Sequence, residues 1–330
     1  MQQTTLNRRR FVAATAATVA TTTLGLWTGA SQAQTWPARP IRIVVPYPAG
    51  GSTDQLARAV QQPLAQALGQ PIVIDNRAGA GGTIGMDQAA KAQPDGYTLG
   101  FGNTGPNAIA GLLRKLPYDP VADLVPVSTV ALTPMILAVP VDSPAATLQD
   151  FLAYARREGG RLNYGSVGNG SLSHLTGEHF NDLAGLKMQH IPYSGGAPML
   201  TAFAGGQLQA AFVTGLDGAA MLASGRVRYL AVATPAASEV VPGLPPIAQE
   251  VPGFESTAWF GVLAPRGVPQ DILARVHAAV AAAVERPEVR KLFAERRVEA
   301  RASTPAELQQ RMAAESRHWG QVIRKAGVTG

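Results

Sequence analysis

The chain has 330 residues, 46% apolar and 15% charged, with a formal charge of +6 and no cysteine. That length allows about two domains, each with its own core, and the composition excludes a disordered chain; without cysteine there is neither a disulfide nor a lipoprotein anchor. Three arginines fall in the first 33 residues and no acid does, so the remainder carries only +3. Its basic residues are scattered without interleaved aromatics, and nucleic-acid binding is not expected.

In chain order, Arg8-Arg9-Arg10 precedes a weakly apolar stretch from Phe11 to Trp27 and the small-x-small site Ser31-Gln32-Ala33. Residues 1–33 therefore read as an export signal. Asn7 to Val12 resembles a twin-arginine motif, and the threonine-rich apolar region favours that route over general secretion without deciding it. The mature chain, from about Gln34, is expected to be periplasmic, and no later run of about 18 apolar residues offers a membrane span.

Beyond the signal, β-branched runs alternate with amphipathic helical stretches in an α/β rhythm. Strands are expected at Ile41 to Pro46, Pro71 to Asp75, Tyr97 to Phe101, Val127 to Val139, Arg161 to Gly165, Met188 to Pro192, Ala210 to Thr214, Arg228 to Thr234 and Phe260 to Ala264. The first helix aligns Leu56, Val60, Leu64 and Leu68 on one face, ends at Gly69 before Pro71, and is expected to be capped by Ser52 or Thr53. Thr147 to Asp150 opens another helix, and Ser303-Thr304-Pro305-Ala306-Glu307 is a capping box with proline at the first helical position. From Asp271 the chain reads as helices broken near Pro287 and Pro305. That terminal block is expected to return and cover the first domain, with Val130 to Val139 and Phe260 to Pro265 as the crossover segments.

The chemistry is expected in glycine-rich loops at helix starts. Strand Ile41 to Val45 runs into Pro46-Tyr47-Pro48-Ala49-Gly50-Gly51-Ser52-Thr53-Asp54, where glycines allow close backbone approach and a helix N-terminus favours an anion. Asp54 reads as structural there. Tyr164-Gly165-Ser166-Val167-Gly168-Asn169-Gly170-Ser171 repeats the arrangement, so two facing cradles suggest a clamp. Gly79, Gly81 and Gly85 only approximate a dinucleotide fingerprint, and no acid ends the next strand, which leads into Gly102-Asn103; that loop is expected to pack against the first cradle. Ser171 or Ser173 should cap a helix with His174 in its first turn. A serine hydrolase using Ser171 and His174 is the rival reading, although no G-x-S-x-G elbow exists. His174 and His179 lie five apart, off the spacing for a shared metal, and neither metal nor cofactor is expected. Tyr193 and Ser194 follow a third strand and are candidates to reach into a cleft.

An ordered set of motifs carries a resemblance: Trp36-Pro37-Ala38-Arg39-Pro40-Ile41, Pro48-Ala49-Gly50-Gly51 with Asp54 and Arg58, Asn76 to Gly82, and Pro94-Asp95-Gly96-Tyr97-Thr98-Leu99. Leu116 to Pro120, Tyr164-Gly165-Ser166, Gly170-Ser171, His174-Leu175, Pro192-Tyr193, Gly205-Gly206 and Trp259-Phe260-Gly261 continue it. Together they resemble the Bug receptors, extracytoplasmic solute-binding proteins of tripartite tricarboxylate transporters. The resemblance implies no enzyme but a type II, two-lobed periplasmic-binding fold, each lobe a mixed sheet flanked by helices. Residues 34–134 and 264–330 would form the first lobe and 135–263 the second. It also implies a cleft for an organic carboxylate, a monomeric receptor, and membrane transporter subunits or a sensor kinase as partners. The ligand would lie between Tyr47, Ala49, Gly50, Gly51, Ser52 and Asp54 on one side and Ser166, Asn169, Gly170, Ser171 and His174 on the other, with Asn103 and Tyr193 as further contacts. Neither loop contains an arginine, so amides, hydroxyls and helix dipoles would hold the anion. Tyr47 stands where phenylalanine is common, and Ser194-Gly195-Gly196 replaces a frequent Lys-Gly pair. The ligand is left open among tricarboxylates, dicarboxylates, acidic amino acids and aromatic acids.

Overall fold

β1 (Ile41–Val45) and β2 (Ile72–Asn76) pair in parallel around α1 (Ser52–Leu68), and β3 (Thr98–Asn103) joins the other edge of β1 in the same direction after α2 (Thr83–Ala90), with the one-turn α3 (Ala110–Leu113) beyond it. In this computed structural model the described residues are 36–223 and 225–329, so the expected export signal lies outside them. Leu56, Val60, Leu64 and Leu68 are buried as their spacing requires, and Gly69 closes α1 in the left-handed conformation. The N-cap is Gly51, with no side-chain cap. Ser52 and Thr53 do not cap because both are already helical and their hydroxyls bond to distant residues.

β4 (Leu124–Pro134) and β10 (Thr257–Pro265) complete this sheet with the short β11 (Glu299–Ala300), in the order β11-β4-β10-β3-β1-β2. β10 runs antiparallel to both neighbours. The second sheet has the order β7-β6-β8-β5-β9. Its strands are β5 (Ile136–Pro140), β6 (Asn163–Ser166), β7 (Gln189–Pro192), β8 (Ala210–Val213) and β9 (Val227–Val232). β6 is parallel to β7 and β8, whereas β5 is antiparallel to β8 and β9. Around it lie α4 (Leu148–Glu158), α5 (Leu172–Ala184), α6 (Gly196–Ala204) and α7 (Gly215–Ala223).

The expected single strand from Val127 to Val139 is two strands in two sheets, separated by Met135. The crossing back is not at Phe260 to Pro265, because β10 is hydrogen-bonded within the first sheet from Thr257 onward; the return lies between Val232 and Thr257, and the expected boundary at residue 263 falls inside a strand. The two crossings are tied side by side: Met135 N–H donates to Ser256 O (3.0 Å), Ala233 N–H to Met135 O (2.7 Å) and Ser256 N–H to Ala233 O (2.9 Å).

The C-terminus is helical and packs back on the first sheet. α8 (Gln270–Val284) packs on α1 and β4, α9 (Pro287–Glu295) follows, and α10 (Pro305–Ala326) lies on β4. α10 also packs on α5, where Lys325 pairs with Asp182 at 2.7 Å and Trp319 and His318 meet the edge of His179. Trp259 is fully buried under α10 and donates its indole N–H to Glu315 (2.9 Å). Among the described residues no helix is long and apolar enough to cross a membrane.

Candidate functional site

Between the two sheets lies a cavity of about 360 Å³. Its floor is the Met135 crossing with Ala258 and Phe260 of β10, and its walls include Phe212, Val213, Met199 and Leu216 from the second sheet's side. Among the described residues, the first turns of α1, α5, α6 and α7 all border it. Strands of both sheets end there, and the helices that follow begin there, so backbone N–H groups converge on one space. The N-caps of α1 and α6 are Gly51 and Gly195, and neither helix has a side-chain cap. α5 differs, because Ser171 accepts the N–H of His174 (3.3 Å).

Of the residues expected to hold a ligand, Tyr47, Ala49, Gly50, Gly51, Ser52, Asn103 and Ser171 border the cavity. Asn103 organises the first side: its side-chain amide donates to Thr53 Oγ1 (3.2 Å), and its Oδ1 accepts from Gly105 N–H (3.2 Å) and the Tyr47 hydroxyl (3.4 Å). Tyr47 also donates to Gly81 O (3.1 Å), so the second glycine loop packs on the first. Burial raises the Tyr47 phenol to about 12, against the pull of its Asn103 bond.

The remaining candidates lie outside the lining. Asp54 points back into its own loop, 3% exposed, where it accepts from Gly50 N–H, Asn76 Nδ2 and Arg58 Nε, each at 2.9 Å. Burial opposes its charge, but these donors outweigh burial and hold the carboxyl below its ordinary range. Gly50 takes a φ of +86°, and its N–H is thereby fixed on Asp54. Ser166 is fully buried against His190, with Oγ···Nε2 of 2.6 Å. His174 stacks on that same ring at 3.7 Å between centroids, and its Nδ1 accepts the Gly170 N–H (3.1 Å). Burial lowers His174 to about 4 and His190, further disfavoured by His174, to about 3. Asn169 is exposed beside Gly81 at the outer edge, Gly170 faces Leu113, and Tyr193 packs on the second sheet's core. The side chains of Asp54, Ser166 and His174 and the amide of Gly170 are spent on shaping their loops.

Ser171 and His174 do not form a hydrolytic pair. The Ser171 hydroxyl contacts Ser173 Oγ (3.1 Å), while the two nitrogens of His174 face the Gly170 amide and, at 3.9 Å, Glu178. Among the described residues no group of three or more His, Cys, Asp or Glu is placed to hold a metal.

The sequence reading passed over Thr214 and Asp217. Thr214 Oγ1 donates to Asp217 Oδ2 (2.8 Å) and accepts the Asp217 N–H (3.1 Å), the same Thr-x-x-Asp spacing that marked Thr147. With that proton committed, Ser52 is the donor in its 3.2 Å contact with Thr214 Oγ1. This bond joins the first cradle to the second sheet's side across the cavity.

The profile of the Tripartite tricarboxylate transporter family receptor, TctC, matches residues 56–328. The chain belongs to this family. Protein BugT of Bordetella pertussis is 34% identical over 298 residues, covering 89% of this chain and 91% of its own. The solved structure of R. palustris Rpa4515 with adipate superposes with a TM-score of 0.85 at 36% identity, covering 89% of this chain and 99% of that one. MatC from Rhodopseudomonas palustris with bound malate gives 0.81 at 34%, covering 87% and 100%. The two mixed sheets are therefore the lobes of a type II periplasmic-binding fold, and the family and its structural neighbours are solute-binding proteins, not enzymes.

Proposed function

We propose that this chain is a periplasmic receptor that captures a small organic carboxylate between its lobes and delivers it to the membrane subunits of a tripartite transporter. The carrying observation is the cavity bordered by helix N-termini of both lobes, with α1 uncapped and no Lys, Arg or His among its described lining residues. The carboxylate would sit at the Ala49, Gly51 and Ser52 amides, opposite Ser171 and Ser173. Charge-assisted hydrogen bonds of about 1.5–3 kcal/mol each outweigh a helix-dipole contribution of roughly 0.3–2 kcal/mol. Because both lobes touch the ligand, binding favours the state in which they approach, which is what membrane subunits can read. Adipate in Rpa4515 and malate in MatC support an organic acid as the ligand.

A thermal-shift panel of mono-, di- and tricarboxylates, aromatic acids and amino acids tests this. A binder present at 100 times its Kd adds about 2.7 kcal/mol to the native state, so at least one acid should raise the midpoint without being turned over. Indifference to every acid tried would overturn the proposal.

A further inference from the structure

Asp217 is the only charged side chain among the described residues lining the cavity, and it is an acid in a space proposed to hold an anion. Its position excludes indifference. Oδ2 is linked to the first cradle through two successive hydrogen bonds, Thr214 Oγ1 at 2.8 Å and Ser52 Oγ at 3.2 Å. Oδ1 faces the start of α6, where a Cβ built on Gly196 would lie 3.4 Å away. The carboxylate of Asp217 therefore already offers negative charge to one of the two uncapped helices, leaving α1 for the ligand's anion. Among the described residues no cation forms an ion pair with Asp217; the guanidinium of Arg297 lies over the Tyr229 ring instead. A second ligand carboxylate placed in this cavity would meet Asp217 with no basic side chain to separate them.

Resting on the proposed receptor function, we infer that the ligand is an amino carboxylate: one carboxylate at the α1 cradle, one ammonium on Asp217, and an apolar body against Met135, Met199, Phe212, Leu216 and Phe260. Asp217 supplies the one charged acceptor for a buried ammonium among the described lining residues.

Calorimetric titration of the purified protein with two matched series tests this. L-phenylalanine, 3-phenylpropanoate and benzylmalonate differ only in an ammonium, a hydrogen or a carboxylate at one carbon; 6-aminohexanoate, hexanoate and heptanedioate differ in the same way at the far end. In at least one series the amino member should bind tenfold or more tightly than both others. Asp217→Asn, which keeps an acceptor for Thr214, should erase that preference, and its unliganded melting midpoint shows that it is folded. A diacid bound as tightly as its amino counterpart, or a preference unchanged in Asp217→Asn, overturns the inference and leaves the carboxylate receptor standing. If no organic acid of the wider panel binds, both fall.

Discussion

At the scale of single residues, the molecule separates groups that shape the cavity from groups that face it. Asp54 sits beside the anion cradle, yet its oxygens are consumed by Gly50, Asn76 and Arg58. It fixes the loop whose other amides stay available. Asp54→Asn should lower stability by about 1–3 kcal/mol in urea unfolding at pH 7, because the Asn side chain accepts fewer charge-assisted bonds. The sign with pH follows from the lowered native pKa. The contribution is present above the unfolded value of about 4 and is lost as pH falls through the native one. The gap between wild type and variant should therefore narrow below about pH 4. A gap that stays constant down to pH 2 would mean that the charge is not what holds the loop.

At the scale of elements, helix starts are positioned by close packing behind them. α5 lies on β6 at Gly177, where an added Cβ would fall 2.1 Å from Tyr164 Cε2. Tyr164 cannot yield easily, because its hydroxyl donates to Glu178 Oε1 (2.5 Å) and approaches His174 O (3.1 Å). Helix propensity alone would favour Gly177→Ala by about 1 kcal/mol, but overpacking costs about 1–3 kcal/mol. The substitution should destabilise in urea and weaken ligand binding, since Ser171 and Ser173 ride on the same helix. An alanine variant more stable than wild type would show that α5 can slide away from the sheet. The other linkage across the cavity, Ser52 to Thr214, is tested by Thr214→Val: affinity for any acid that binds should fall at least severalfold, with the fold intact by circular dichroism.

At the scale of the whole molecule, buried titratable groups of opposite sign set the response to acid. His174 and His190 in the second lobe, and His179 against α10, are held neutral with values of about 4, 3 and 4. Between about pH 6.5 and those values the unfolded chain takes up protons that the native one refuses. Each therefore withdraws about 2 kcal/mol between pH 7 and pH 5. Glu315, whose side chain is 16% exposed under Trp259, is pushed up to about 7 by burial and acts the other way. It holds its proton in the native state and returns about 2 kcal/mol over the same interval; Glu178, also raised by burial, adds in that direction. The melting midpoint should fall on acidification from pH 7 to pH 5, and fall further in Glu315→Gln, which removes the compensating carboxyl. Equal losses in both proteins would place Glu315 among ordinary surface acids.

Much of this was legible in the chain because it depends on neighbours in sequence. The α/β alternation, the apolar face of α1, the Gly69 stop, the Thr304 and Thr147 capping boxes and the glycine loops at helix starts are local, set by backbone sterics and period. The cradle of Tyr47, Ala49, Gly50, Gly51 and Ser52 was read from that pattern, and these residues do border the cavity. What the sequence could not decide was which groups remain unspent after folding. Only tertiary contacts turned Ser166 and His174 inward to serve their own loops, tied Ser52 to Thr214 across 162 positions, and set Asp217 against the start of α6. They also placed β10 in the first sheet and moved the second crossing ahead of it. A strand's sheet and a polar group's partner are chosen by what lies across space, where hydrogen bonds and desolvation are settled, and periodicity along the chain does not carry that information.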